Sequence, residues 1–252
     1  MKCIDVHCYF GKWGFPIKDF SIEDLFIYMK LAEIEKCIMM SAQAIMYDFI
    51  SGNAEISQLV EKYDNLYGYV YINMHYPELS IKEIEKYLGS DKFVGLKYNG
   101  ELSRAAACDD SNDTLFNLIV KKYNKPLLLH TWGLPEHGNV VAYSTPQQAL
   151  MLAKKFPDLT IIMGHMGGSE WPWAIEVAKK ADNLYLDTCA SYADRDKVAY
   201  AVKELGAERI LWGSGMTENN PFMQKSVVLD AEITDREKEL ILYDNAVRLF
   251  NL

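Results

Sequence analysis

Short apolar runs rich in β-branched or aromatic residues recur along the whole chain, at positions 2–6, 37–41, 66–72, 93–98, 126–130, 160–165, 184–189 and 210–214. Their starts lie 24 to 35 residues apart, roughly the length of a strand, a helix and two loops. The run Pro126, Leu127, Leu128, Leu129 is continuously apolar, as in a strand buried on both faces. Between the runs lie amphipathic stretches with helix punctuation. Ser21 caps a helix with Glu23 and Asp24 in its first turn and Leu25, Met29 and Ile34 near one face. Ser80 is read as the cap of a helix over 81–88 closed by Gly89, and 113–121 carries Leu115, Leu118 and Ile119 at helical spacing. Pro146 and Pro172 stand where first turns accept proline, Gly206 ends the stretch from Asp196, and Thr234 with Glu237 forms a capping-box pattern ahead of a last helix through Phe250.

Strict alternation of strand and helix implies a parallel sheet with helices packed outside it. Eight units in 252 residues favour an α/β fold closed into a (β/α)8 TIM barrel, read as one domain over residues 1–252. The competing open, doubly wound sheet lacks the GxGxxG turn after its first strand.

Composition narrows the partners. Half of the residues are hydrophobic and 24% are charged, which suits an ordinary globular core and surface. The net charge is −9, and no run of Lys and Arg exceeds two, so a phosphate backbone and an anionic membrane surface are both poor partners. No apolar run approaches the ~20 residues of a spanning helix. The chain enters a strand-like segment at Lys2, with no room for a cleavable leader, and its five cysteines (Cys3, Cys8, Cys37, Cys108 and Cys189) lack paired spacing. Reduced thiols and a cytoplasmic location are expected. A homo-oligomer is compatible with such a barrel, but no interface can be assigned from sequence.

In a barrel of this kind, chemistry sits where the strands end. His7, Lys97, His130 and His165 fall at the ends of the first, fourth, fifth and sixth runs, on one rim. Three imidazoles can hold a divalent ion, zinc before others, and leave a position open for water. Each also has an ordinary role as a hydrogen-bonding group, and Lys97 as an ion-pair partner. His75 and His137 lie in loops, and Glu136, His137 and Glu218 to Asn220 border the mouth. Trp13, Phe15, Trp132, Trp171 and Trp173 are loop aromatics that could stack on an aromatic acid or simply pack over the barrel.

The segment from Ile4 to Gly11 (IDVHCYFG) resembles the first-strand signature, Asp-x-His-x-His, of the amidohydrolase-related family of barrel hydrolases. Leu127 to His130, Ile161 to Gly168, Arg209 to Gly215 and Asn245 to Phe250 are similar to its fifth, sixth and eighth strands and its last helix. The resemblance implies a metal held by His7 and His130, with His165 as a ligand or proton donor and Asp5 in a supporting role behind them. It also implies a second first-strand histidine and an eighth-strand aspartate acting as base, but Tyr9 and Gly215 stand at those positions. Tyr9, Glu218 and Asp187 are the candidate substitutes, Asp187 having the alternative role of bonding neighbouring strand ends. The first reading is therefore a metal-dependent hydrolase of a small-molecule carbonyl C–N or C–O bond, with His165 and Lys97 as catalytic groups. The alternatives are a decarboxylase on the same fold and a catalytically inactive barrel that binds a small ligand.

Overall fold

A computed structural model describes residues 1–17, 19–132, 142–189, 194 and 196–252. Eight strands form one sheet in the order of the chain: β1 Cys3–Phe10, β2 Ile34–Ser41, β3 Leu66–Tyr71, β4 Phe93–Tyr98, β5 Leu127–Leu129, β6 Ile161–Met163, β7 Leu184–Asp187 and β8 Ile210–Leu211. Every adjacent pair is parallel. The sheet closes on itself through the chain beyond β8. Val6 N donates to Trp212 O at 3.2 Å, Gly215 N donates to His7 O at 2.9 Å, and Tyr9 N donates to Met216 O. This is the TIM barrel that the alternation implies.

Helices pack outside the barrel, and most start where the sequence supplies a cap. The helix α1 Ile22–Leu31 opens on a complete Ser21–Asp24 capping box. The short α2 Ala42–Met46 is followed by α3 Phe49–Lys62, whose free amides at Ile50 and Ser51 are accepted by Asp48. Next come α4 Pro77–Tyr87, α5 Gly100–Ser103 and α6 Asp113–Leu118, then α7 Pro146–Lys155, α8 Trp171–Ala178, α9 Lys197–Leu205 and α10 Pro221–Leu229. The last helical stretch runs through α11 Asp235–Glu239 and α12 Asn245–Phe250. Ser80 does not cap α4: the helix begins three residues earlier on Pro77, and the Ser80 hydroxyl is buried, bonding the backbone of Asn73 in both directions at 2.9 Å. No described helix is long and apolar enough to cross a membrane, and all five cysteines are free thiols.

Two apolar cores follow from strand alternation. One gathers Ile4, Val6, Ile38, Met40, Tyr69, Val94, Leu128, Ile162 and Leu211 along the barrel axis, with Ala246 and Phe250 of α12 against them. The other joins the opposite strand faces to the helices. Two register breaks decide what reaches the rim. In β4 the pairing shifts between Gly68↔Phe93 and Tyr69↔Gly95, so Leu96 and Tyr98 join the outer core and the intervening Lys97 turns inward. In β1 the pairing breaks between Asp5 and Cys8, at the position that carries His7. Such bulges re-aim a side chain at the cost of local pairing.

Candidate active site

The rim is organised by a fully buried carboxylate at the end of β7. Asp187 Oδ2 lies 2.8 Å from His7 Nδ1, while Oδ1 accepts the backbone amides of His165 at 3.1 Å and Cys189 at 2.8 Å. A carboxylate here can only accept, so His7 carries its proton on Nδ1 and presents a lone pair on Nε2. Two donors meet that lone pair, the Tyr9 hydroxyl at 2.8 Å and Lys97 Nζ at 3.1 Å. The result is a buried chain running Asp187, His7, Lys97, with Tyr9 beside it. His7, Lys97 and Asp187 are wholly inaccessible to solvent.

His165 joins from a tight turn in which His165, Met166, Gly167 and Gly168 all have positive φ. Its ring lies 4.9 Å from that of His7 and 4.9 Å from that of His130, and its Nδ1 lies 3.1 Å from Cys189 O. The His130 ring makes no hydrogen bond among the described residues, although its Nδ1 is buried. Burial lowers the pKa of all three imidazoles, that of His165 to about 3, so each is neutral at pH 7. Burial also lowers the Lys97 ammonium to about 8, against the pull of Asp187 and Cys189. Desolvation raises Asp187, and its neighbours His165 and Lys97 lower it.

Asp5 sits behind the chain. Its Oδ1 accepts the amides of His7 at 3.1 Å and Ser214 at 2.9 Å, and its Oδ2 accepts the Ser214 hydroxyl at 2.5 Å. It therefore pins the start of the rim on β1 to the closing segment beyond β8. Two glycines give His7 its room. A methyl on Gly213 would lie 2.6 Å from His7 Cβ, and one on Gly164 would lie 3.1 Å from Leu129 O and 3.3 Å from His7 Cε1.

The predicted residues thus come together unequally. His7, Tyr9, Lys97, His165 and Asp187 share one buried network, and His130 abuts it. Glu218 stands at the mouth, exposed to solvent, and Lys97 and Tyr9 feel its charge. Desolvation raises its carboxyl to about 7, with Lys97 opposing. Of the aromatics, Trp132 lies 5.4 Å from the His165 ring and Trp13 lies 4.9 Å from that of Tyr9, with Phe15 stacked on Trp13. Trp171 instead donates to Asp194 and abuts Tyr200, and Trp173 packs against the outer core, so neither joins the network. Exposed His75 lies 2.6 Å from Ser103 O through its Nε2, while Glu136 and His137 lie outside the described residues.

The closest trio of metal-capable donors on the rim is His7, His165 and Cys189, whose donor atoms lie within 4.8 Å of one another, rather than His7, His130 and His165. Cys189 was not singled out from sequence. The available signal was its place two residues beyond Asp187, on the same turn. A second such trio among the described residues is Asp5, Cys8 and Cys37, all fully buried.

A family model described as Amidohydrolase matches residues 52–252. A gamma-resorcylate decarboxylase from Polaromonas sp. (strain JS666) is 25% identical, the match covering 73% of this chain and 70% of that one. Among solved structures, a dihydroxybenzoic acid decarboxylase from Polaromonas sp. JS666, with bound manganese and the inhibitor 2-nitroresorcinol, superposes with a TM-score of 0.81 at 20% identity, over 100% of this chain and 97% of that one. A 2,6-dihydroxybenzoate decarboxylase from Rhizobium does so with a TM-score of 0.80 at 17% identity, over 99% of this chain and 98% of that one.

Proposed function

The chain belongs to the amidohydrolase family, and we propose that within it the protein is a decarboxylase of a small hydroxylated aromatic acid. The observation that carries this reading is that Asp187, the buried carboxylate of the rim, is committed to His7 and two backbone amides. Hydrolysis needs a base placed to activate water, and at Gly215, where the resemblance implies one, there is no side chain. Decarboxylation needs something else: a cation to hold the acid, a flat apolar wall, and a proton delivered to the ring carbon that loses carbon dioxide. The decarboxylase relatives favour it over the carbonyl hydrolase that the sequence first suggests.

The parts available match that list. Lys97 supplies buried positive charge for the carboxylate or phenolate of the substrate. Trp132 and Phe15, both partly exposed, offer faces on which a ring can stack. Glu218, with its carboxyl raised to about 7, is the proton carrier at the mouth. In the overall step one proton is added to the ring carbon, the carbon–carbon bond breaks, and its electron pair stays with the ring as carbon dioxide leaves. The test is carbon dioxide release from a panel of ortho-hydroxybenzoates, run beside a panel of amides and lactones. Turnover of the second panel without the first overturns the reading. The missing side chain at Gly215 favours one other reading, a barrel that binds such an acid without converting it, for which unchanged substrate with measurable affinity is the signature.

The family resemblance and the manganese-bound relative raise the question of a divalent ion, including the zinc expected from the histidines. The donor atoms of His7, the residue at the centre of the rim, do not fit one. His7 has Nδ1 committed to Asp187 and Nε2 faced by the Tyr9 hydroxyl and the Lys97 ammonium. An ion bonded to Nε2 at about 2.1 Å would sit no more than about 5 Å from Nζ. Repulsion between a dication and an ammonium at that distance is at least about 6 kcal/mol, even with an effective dielectric constant of 20. No step of the proposed chemistry runs through a metal.

A further inference from the structure

We propose that Lys97 is the built-in cation of this site, taking the place of a divalent ion and binding the anionic group of the aromatic acid directly. The inference rests on the decarboxylase reading for the class of acid, but on the geometry alone for the charge. The β4 register break turns Lys97 inward, onto the rim beside His7 and above the apolar axis of the barrel. Its ammonium is fully buried, which is tolerated only where the charge is paired or used. One side of it meets the neutral Nε2 of His7 at 3.1 Å. Behind His7 stands Asp187, the buried counter-charge, reached through the imidazole rather than by direct contact.

The carboxylates that act on Lys97 are Asp187, which is committed to His7, and Glu218, which is at the exposed mouth. A dication brought in beside this buried ammonium would be repelled by it in a dry site. An ammonium has three donors, and the His7 contact uses one of them. The substrate carboxylate or phenolate accepts from those that remain. His130, whose ring makes no hydrogen bond among the described residues, stands on the same rim as a neutral neighbour for the bound acid.

The experiment uses the whole chain purified without chelator. Elemental analysis, and calorimetric titration with Mn²⁺ and with Zn²⁺, read the metal. Equilibrium titration with 2,6-dihydroxybenzoate, before and after chelation, reads the anion site. The proposal expects no stoichiometric metal, an affinity for the acid unchanged by chelator, and at least a tenfold loss of affinity in Lys97→Met. Lys97→Arg, which keeps the charge, should retain more affinity than Lys97→Met, and melting curves for both variants show that each is folded. A stoichiometric ion whose removal abolishes acid binding overturns the proposal. So does wild-type affinity in Lys97→Met, and so does a wild-type chain that binds no hydroxybenzoate. Chelator-insensitive, Lys97-dependent binding without carbon dioxide release would instead sink the decarboxylase reading and leave Lys97 as the anion-binding cation.

Discussion

Asp187→Asn is the substitution that most sharply probes how the rim is wired. The carboxylate accepts three bonds, two from backbone amides and one from the His7 ring. Bonds to a charged acceptor are worth about 1.5–3 kcal/mol each, against about 0.5–1.5 kcal/mol for neutral ones. An asparagine can keep the two amide bonds through its oxygen, losing about 1 kcal/mol on each. Its NH2 group then faces His7 Nδ1, donor against donor, unless the ring moves its proton to Nε2. That shift would set Nε2–H against Lys97 Nζ at 3.1 Å. Turning the amide over is worse, since it aims NH2 at both backbone N–H groups. Losing the third bond brings the total to about 3.5–5 kcal/mol. At about 2.1 cal/mol/K per residue over 252 residues, each kcal/mol moves Tm by about 2 °C. The expected fall is therefore about 7–10 °C in differential scanning calorimetry, together with loss of acid binding as Lys97 is displaced. A variant melting within 1–2 °C of wild type (about 1 kcal/mol) with unchanged affinity would refute the chain from Asp187 through His7 to Lys97.

Acid should destabilise the fold early. His7 and His165 have folded pKa values lowered by burial, that of His165 to about 3, below the usual value of 6.5. The unfolded chain therefore binds the extra protons on these rings, and the stability they contribute is complete above about pH 6.5 and lost as pH falls toward 3, by up to about 1.4 kcal/mol per pH unit for each ring. The buried Asp5 carboxyl, raised to about 6, offsets one ring's share below about pH 6. Urea midpoints between pH 7.5 and 5 read this, and a flat profile contradicts it. Gly213→Ala places a methyl 2.6 Å from His7 Cβ and 3.0 Å from Cys189 Cβ. It should cost about 1–3 kcal/mol in chemical denaturation and disturb the His7 ring resonances by NMR, where an unshifted ring would contradict the packing argument. Trp132→Ala removes a ring stacked 6.5 Å from His130 and should raise KM about tenfold with little change in kcat. A change confined to kcat would place the substrate elsewhere.

The barrel was readable because each strand is an apolar run of its own, and the runs at β2, β4 and β5 end within a residue of their ladders. β1 runs four residues past its predicted end at Val6, to Phe10, because its register break lets pairing with β2 resume at Cys8. β8 is shorter than its apolar run because Trp212 to Met216 turn to close on β1. That His7, His130 and His165 lie on one rim was legible from their positions alone. What they bond was not, since partners from β7 and β8 lie 180 to 209 residues away from β1 in sequence. Of the two roles weighed for Asp187, the geometry shows the hydrogen-bonding one. Lys97 sits at a strand end in the sequence, but its inward aim depends on a bulge that no two-residue periodicity contains. Cys189 enters through its backbone carbonyl and the reach of its thiol, neither of which its residue type announces.

The account stands on a site that returns a proton to carbon rather than adding water to a carbonyl. Reaction of 2,6-dihydroxybenzoate with the chelator-treated protein in D2O, followed by NMR, reads that step directly. The account predicts resorcinol carrying one deuterium at the former carboxyl carbon, with carbon dioxide released in equal amount. Recovery of the acid unchanged under conditions where it is shown to bind, or conversion that begins only when a divalent ion is added, would contradict it.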